Sequence, residues 1–288
     1  LLIMTGAIGV TGYAWLNAPR QLETGLQQAL KKAGFENYTL PSAQKKLGQS
    51  LYSEITLDPD RFSTVKTLRI SYSPLKLLLF KKIDSIELTG LDLTGELTPQ
   101  GQISIAGKTR NENTISLLQT LKTAKNIEIK NARLSLLSQQ WGGITIELDA
   151  QLRNRRSNTD IQGRVKATQS QLSLNANMEG QITDEGFWDL RMELEQGKFA
   201  LENLKATRLA GIINISGSNL GDIRLLGELE SGGLNVMGLP WQEAAITIDG
   251  SVHEPRMILA AKSTGIEDIE LGLSIPNMRT PSIFSGNL

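Results

Sequence analysis

The 288-residue chain has no cysteine, a single histidine and no net charge, with 30 basic side chains against 30 acidic ones. Each absence closes a class of function. Without cysteine there are no disulfides, no thiolate nucleophile and no cysteine-ligated zinc or iron–sulfur site. With only His253, a histidine-rich metal site is unavailable, and any imidazole acid–base chemistry rests on that one residue. Balanced charge argues against nucleic acid, whose phosphates need a basic surface. Aromatics are 5% of residues while hydrophobics are 40%, so the apolar content is mostly Leu, Ile, Ala and Val. The question becomes where all this aliphatic surface lies.

Part of it lies at the start. Residues 1–19 carry no charge, the first being Arg20, and Gly6, Gly9 and Gly12 are interspersed among apolar side chains. A spanning helix needs about 20 apolar residues, and Tyr13 and Trp15 stand where interfacial aromatics are common. Residues 1–19 therefore read as a transmembrane anchor, with Leu2, Ile3, Ile8, Val10 and Trp15 as membrane-contacting residues. A cleaved signal peptide fits less well, because a cut after Ala18 puts Leu16 at a small-residue position and Pro19 just beyond the cut. The glycines of Thr5–Gly12 are spaced like part of a nucleotide loop but have no strand before them, so helix packing is the better reading.

From Arg20 to Gly34, Leu22, Leu26, Ala29, Leu30 and Ala33 recur at helical spacing, and Gly34 suits a C-cap. This amphipathic helix is expected to pack on the end of the following domain rather than lie on the membrane surface. Residues 20–50 are thus helix and linker.

From Leu51 onward the period changes to two. In Ile144–Leu152 every even-numbered residue is apolar and every odd one polar. The same alternation marks Leu172–Met178, Trp188–Glu195, Ala244–Val252 and Ile269–Ile275, and more weakly Ile161–Ala167. Successive strand side chains point to opposite faces, and one-sided alternation is the mark of antiparallel sheet. Turns are expected at Arg153–Asp160, Gly180–Gly186, Gly217–Gly221, Ser231–Gly233 and Pro276–Pro281. Two short helices are expected early, one from Pro74 to Phe80 and one over Asn113–Thr123. The fold class is mainly β: an elongated, curved antiparallel sheet with two inserted helices, behind an anchor and an amphipathic helix.

Three architectures accommodate such strands. An outer-membrane barrel is disfavoured by scarce aromatics and by the N-terminal anchor. A β-sandwich, where two apolar faces meet, and an open sheet whose apolar face lines a groove both remain.

The stretch Val65–Leu93 reads as strand, short helix, then Ile83-x-x-Ile86-x-Leu88-x-Gly90-Leu91-x-Leu93. Residues Leu117–Leu136 repeat that phrase, with Ile127, Ile129, Asn131, Ala132 and Leu134. These phrases resemble the N-terminal module of AsmA-like envelope proteins of Gram-negative bacteria, related to the chorein-type start of bridge-like lipid transfer proteins. The order of anchor, amphipathic helix and strand looks most like the YdbH family. The resemblance covers residues 1–140 and is one of pattern beyond them. It implies residues 51–140 as an AsmA-like module and 141–288 as a β-groove continuing in a longer chain. It further implies single-pass inner-membrane attachment with the bulk in the periplasm, carriage of phospholipid toward the outer membrane, and an outer-membrane lipoprotein partner at the far end. The related TamB-type proteins imply an alternative role in envelope assembly. No enzymatic activity and no cofactor or metal is expected.

The expected groove lining is Ile144, Ile146, Leu148, Leu152, Leu172, Leu174, Met178, Leu190, Met192, Leu194, Ile246, Ile248, Leu271 and Leu273. Other polar features carry blander readings. Asp58-Pro59-Asp60, Glu267–Glu270 and His253 read as turns. Arg153-Asn154-Arg155-Arg156 reads as a solvated loop that is also the best candidate for touching anionic head groups. Trp141, Trp188 and Trp241 read as packing anchors.

Overall fold

The computed structural model describes residues 18–31, 35–46, 48–58, 62–97, 103–105, 108–109, 124–138, 142–201, 204–218, 223–236, 238–241, 243–251, 254–263, 266–274 and 282–287. Its strands form one curved sheet.

The chain enters through α1 (residues 18–31). The described helix already includes Ala18 and Pro19, ahead of the expected start at Arg20. β1 (Gln44–Lys46), β2 (Gln49–Asp58) and β3 (Ser63–Ser71) pair in sequence. α2 (Pro74–Phe80) follows, started by Pro in its first turn and stopped by Lys81 in the left-handed region. It matches the expected helix. Next come β4 (Ile83–Leu97), β5 (Ile103–Ile105) and β6 (Lys108–Thr109), then β7 (Ala124–Ser138). The second expected helix, 113–123, lies outside the described residues.

β4 and β7 correct the expectation of a wholly antiparallel sheet, because they pair in parallel. A parallel neighbour needs a long crossover, and residues 98–123 supply it. Ile86 stands beside Ile127, Leu88 beside Ile129 and Leu93 beside Leu134. The two copies of the repeated phrase are therefore laid side by side in register. Gly90 and Asn131 fall at the same step, and both take positive φ, 65° and 52°.

The rest is an antiparallel meander: β8 (Gly142–Asn154), β9 (Asn158–Gln169), β10 (Leu172–Thr183), β11 (Trp188–Leu201), β12 (Leu204–Gly217) and β13 (Ile223–Val236). A short β14 (Leu239–Trp241) and β15 (Glu243–Ser251) both pair with β13, and β16 (Glu254–Ser263), β17 (Ile266–Ser274) and β18 (Ser282–Asn287) continue the order. The expected turn at Ser231–Gly233 lies inside β13. There the strand runs on without reversing, and Arg208 and Gly232 form a skipped pair at unchanged register. The Arg208 guanidinium, on a residue at φ 53°, donates to the Gly232 carbonyl, and Ser231 Oγ bonds the Thr207 carbonyl at 3.0 Å.

Bulges bend a strand and tighten its twist. A line of positive-φ residues and skipped pairs crosses the early sheet, and register shifts only at its Asn131 end. Register puts Glu54 (φ 58°) opposite Lys66, Lys66 opposite Gly90, Gly90 beside Asn131, and Asn131 by Asp149. The Asn131 N–H donates to Asp149 Oδ1 at 2.6 Å. Further register shifts fall at Asn175/Ala176 and between Leu194 and Gly197. These lines give the sheet its curvature.

At the β2–β4 end the inner face is covered. α1 packs Ala18, Leu22, Leu26 and Leu30 into a cluster with Tyr52, Ile55, Leu57, Val65, Leu68 and Ile70. The amphipathic helix thus docks on the sheet, as its periodicity predicts. Tyr52 is 1% exposed and its hydroxyl has no partner among the described residues. Burial pushes its phenol up to about 12, with Glu23 and Tyr72 adding to the effect.

No helix among the described residues is long and apolar enough to cross a membrane. Leu2, Ile3, Ile8, Val10 and Trp15 of the expected anchor lie outside the described residues. Ala18 and Pro19, its last two residues, belong to α1.

Candidate functional site

Register turns the separate alternations into continuous rows across the strands. Leu148 on β8 faces Val165, Val165 faces Ala176, Ala176 faces Leu194 and Leu194 faces Gly211. The row continues through Leu229 and Ile246 to Leu259 on β16. One step to one side run Met178, Met192, Ile213, Gly227 and Ile248, and beyond them Gly180, Leu190, Ile215, Leu225 and Gly250. One step to the other side run Ile146, Ala167, Leu174, Gly197, Leu209, Ser231, Ala244 and Ala261. Leu134 on β7 leads into this row opposite Ile146, and Leu271 on β17 continues the first one opposite Leu259. From β7 to β17, without the short β14, ten strands lie side by side. At about 4.8 Å per strand the surface is roughly 43 Å long.

Exposure is graded across these rows. Ala176, Leu194, Leu229, Ile246 and Leu259 are buried, as are Leu209, Ala244, Ala261, Leu234 and Trp241 on the adjoining side. Met178, Met192, Ile213 and Ile248 are half-buried, and so are Leu190, Ile215 and Leu225 beyond them. On β8 and β9, Ile146, Leu148, Val165 and Ala167 are all half-buried, while from β11 to β16 the apolar face thus has a floor and one partly open wall. A two-sheet core would bury both.

Of the expected lining, Leu148, Leu152 and Met178 come together in one cluster with Ala124, Ile127 and Ala150. Leu174, Met192, Leu194, Ile246 and Ile248 come together in a second. Ile144, Ile146, Leu172 and Leu190 are half-buried on the same face, with Ile144 opposite Leu136 and Leu172 opposite Phe199. The side chains of Leu271 and Leu273 lie outside the described residues. The expected list omits Leu209, Ile213, Leu229 and Leu259, because β12, β13 and β16 do not alternate cleanly in sequence.

Each of β9 to β13, and β15, carries one glycine in these rows: Gly163, Gly180, Gly197, Gly211, Gly227 and Gly250. Strand glycines mark bends and close backbone approach. A Cβ on Gly180 would lie 2.1 Å from the Asp189 carbonyl oxygen, and one on Gly211, at φ 143°, would lie 2.2 Å from that of Glu228. The strands curl too tightly there for any side chain.

The opposite face is wet and paired across strands. Lys166 meets Glu147 at 3.2 Å, Arg191 meets Glu179 at 3.9 Å and Arg224 meets Asp249 at 3.8 Å. Nearer the start, Glu87 on β4 bridges Lys130 on β7 at 3.0 Å and Arg69 on β3 at 2.8 Å. The hydrogen bond from Lys130, helped by both cations, holds the Glu87 carboxyl below its ordinary range, and the Lys130 ammonium is raised by its bonds to Glu87 and Glu128. Exposed pairs contribute little energy each. Their effect is to keep this face polar and the register set.

The remaining polar features fall on strand ends. In the 153–156 cluster Arg155 pairs with Asp160 at 2.6 Å, and Arg153 bonds Gln151 at 3.2 Å. Trp188 opens β11 half-buried, and Trp241 is buried at the end of β14. Trp141, His253, Pro59 and Asp60 lie outside the described residues, as do the side chains of Glu267, Asp268 and Glu270. No protein-family model, no curated protein and no solved structure matches the chain.

Proposed function

We propose that this chain is a phospholipid-conducting module of the cell envelope. In this reading it is an AsmA-like protein, held at the inner membrane by the charge-free residues ahead of α1, whose sheet carries acyl chains along its inner face through the periplasm without bond chemistry. The observation that supports the reading most strongly is the in-register aliphatic surface over ten adjacent strands, its side chains buried along the floor from β10 to β16 and half-exposed along one wall.

The energetics favour such a surface. Each methylene taken out of water is worth about 0.8 kcal/mol, so a two-chain lipid crossing water alone faces a large barrier. A continuous aliphatic face removes most of it while the head group stays at the open wall. Rows of similar Leu, Ile, Val and Met side chains offer many weak and nearly equivalent positions. That suits movement along the sheet rather than tight capture at one point.

The test is a charge placed on the open wall. Leu190→Asp and Ile248→Asp are expected to slow phospholipid transfer between inner- and outer-membrane fractions in cells. They should shift the melting temperature by no more than about 4 °C, the effect of about 1 kcal/mol in a domain of this size. Unfolding by either substitution contradicts an open groove, and unchanged transfer contradicts the function.

A further inference from the structure

A second surface carries a signal that the groove does not use. α2 reads Pro-Leu-Lys-Leu-Leu-Leu-Phe and is followed by Lys81 and Lys82. It buries Leu77 against the core, with Leu78 partly packed. Leu79 and Phe80 are left 70% and 65% exposed, and Leu75 is exposed beside them. Large apolar side chains gathered on one short element mark a contact surface.

The charge around them has one sign. Residues 74–82 contain three lysines, Lys76, Lys81 and Lys82, and no acid. The neighbouring Asp84 meets Lys76 only at 3.8 Å, in an exposed pair. α2 packs on the same core cluster as α1, and α1 runs on directly from the charge-free residues 1–17. Apolar side chains ringed by lysine are the chemistry of an interfacial contact with anionic lipid.

We propose that α2 seats the closed end of the sheet on an anionic bilayer surface. Leu79 and Phe80 dip below the head groups, and Lys76, Lys81 and Lys82 lie against the phosphates. This contact is independent of what the groove carries, since a chain that conducts no lipid would still dock.

The absence of cysteine makes the test clean. Leu79→Cys and Phe80→Cys, made singly in the full chain, each receive an environment-sensitive fluorophore. Leu137→Cys and Leu226→Cys, at exposed apolar positions on the sheet, serve as controls. On vesicles of phosphatidylethanolamine and phosphatidylglycerol, emission at 79 and 80 is expected to rise and shift to the blue, and to be quenched by lipids spin-labelled in the upper acyl chain. The control positions should keep their aqueous spectra. Each Lys→Gln change at 76, 81 or 82 should lower the docked-to-undocked ratio roughly five-fold. Aqueous spectra at 79 and 80 on these vesicles, or equal responses at 137 and 226, would overturn the proposal. So would a blue shift that needs no vesicles and grows with protein concentration, because the face would then be covered by a second copy of the chain.

Discussion

Between β2 and β4 the inner face lies under α1, and Tyr52, Ile55, Val65 and Ile70 are each less than 5% exposed. Between β8 and β16 neither described helix covers that face, and Met178, Leu190, Met192 and Ile248 stay half-buried. Both regions belong to one sheet, alternate in the same way and use the same aliphatic side chains. What separates core from groove is the cover. One amphipathic helix converts the first strands into an ordinary hydrophobic core, and the meander beyond it supplies its own partial cover by curling. The apolar face is therefore closed at the α1 end and open along the half-exposed wall.

Breaking each region by the same means should separate them. The largest effect is expected at the covered end. Ile55→Ala removes a fully packed side chain and should cost about 2–5 kcal/mol, while Leu190→Ala on the open wall should cost about 1 kcal/mol. Urea unfolding of the two variants checks the ratio, and equal losses would mean that the two regions are packed alike. Gly211→Ala comes next, at about 1–3 kcal/mol, because its Cβ meets the Glu228 carbonyl and its φ is one that side chains rarely adopt. Gly25 on α1 has open space around it, so Gly25→Ala should stabilise slightly, and the pair of thermal melts distinguishes strand curling from a general intolerance of glycine replacement.

Smaller effects test the polar details. Tyr52→Phe removes a buried hydroxyl that has no partner, so it should be neutral or stabilising by up to about 1 kcal/mol. A clear loss of stability would show that the hydroxyl is bonded. Glu87→Gln on the wet face should cost at most about 1 kcal/mol and less in high salt. The sign with pH follows from the lowered carboxyl. Its contribution is present above the ordinary carboxylate range and is lost as pH falls through the depressed folded value, so wild type and Glu87→Gln should converge in acid.

Much of the sheet was readable from alternation. β8, β9, β10, β11, β15 and β17 fall where their period-two runs lie, and α1 and α2 fall on their apolar spacing. β12 and β13 were hidden because each changes burial phase midway, at the skipped pair of Arg208 and Gly232. Ala206 and Leu209 are both buried three residues apart, as are Ser231 and Leu234, so neither strand alternates along its whole length. Ser231-Gly232-Gly233 looks like a turn for the same reason, since glycine suits both a reversal and an irregular step within a strand. The parallel pairing of β4 with β7 left its trace in sequence as the repeated phrase, but adjacency in space cannot be read from repetition alone. The graded exposure of the site, floor against wall, depends on how tightly the sheet curls, which is set by backbone approach at Gly163, Gly180 and Gly211 rather than by any local pattern.

Placing photo-crosslinking residues in cells at Leu148, Leu190 and Ile248, and on the opposite face at Glu147, Arg191 and Asp249, compares the two faces of the same strands. The first three are expected to yield adducts that mass spectrometry identifies as phospholipid, and the second three are not. Equal lipid crosslinking from both faces, or none from either, would contradict the groove.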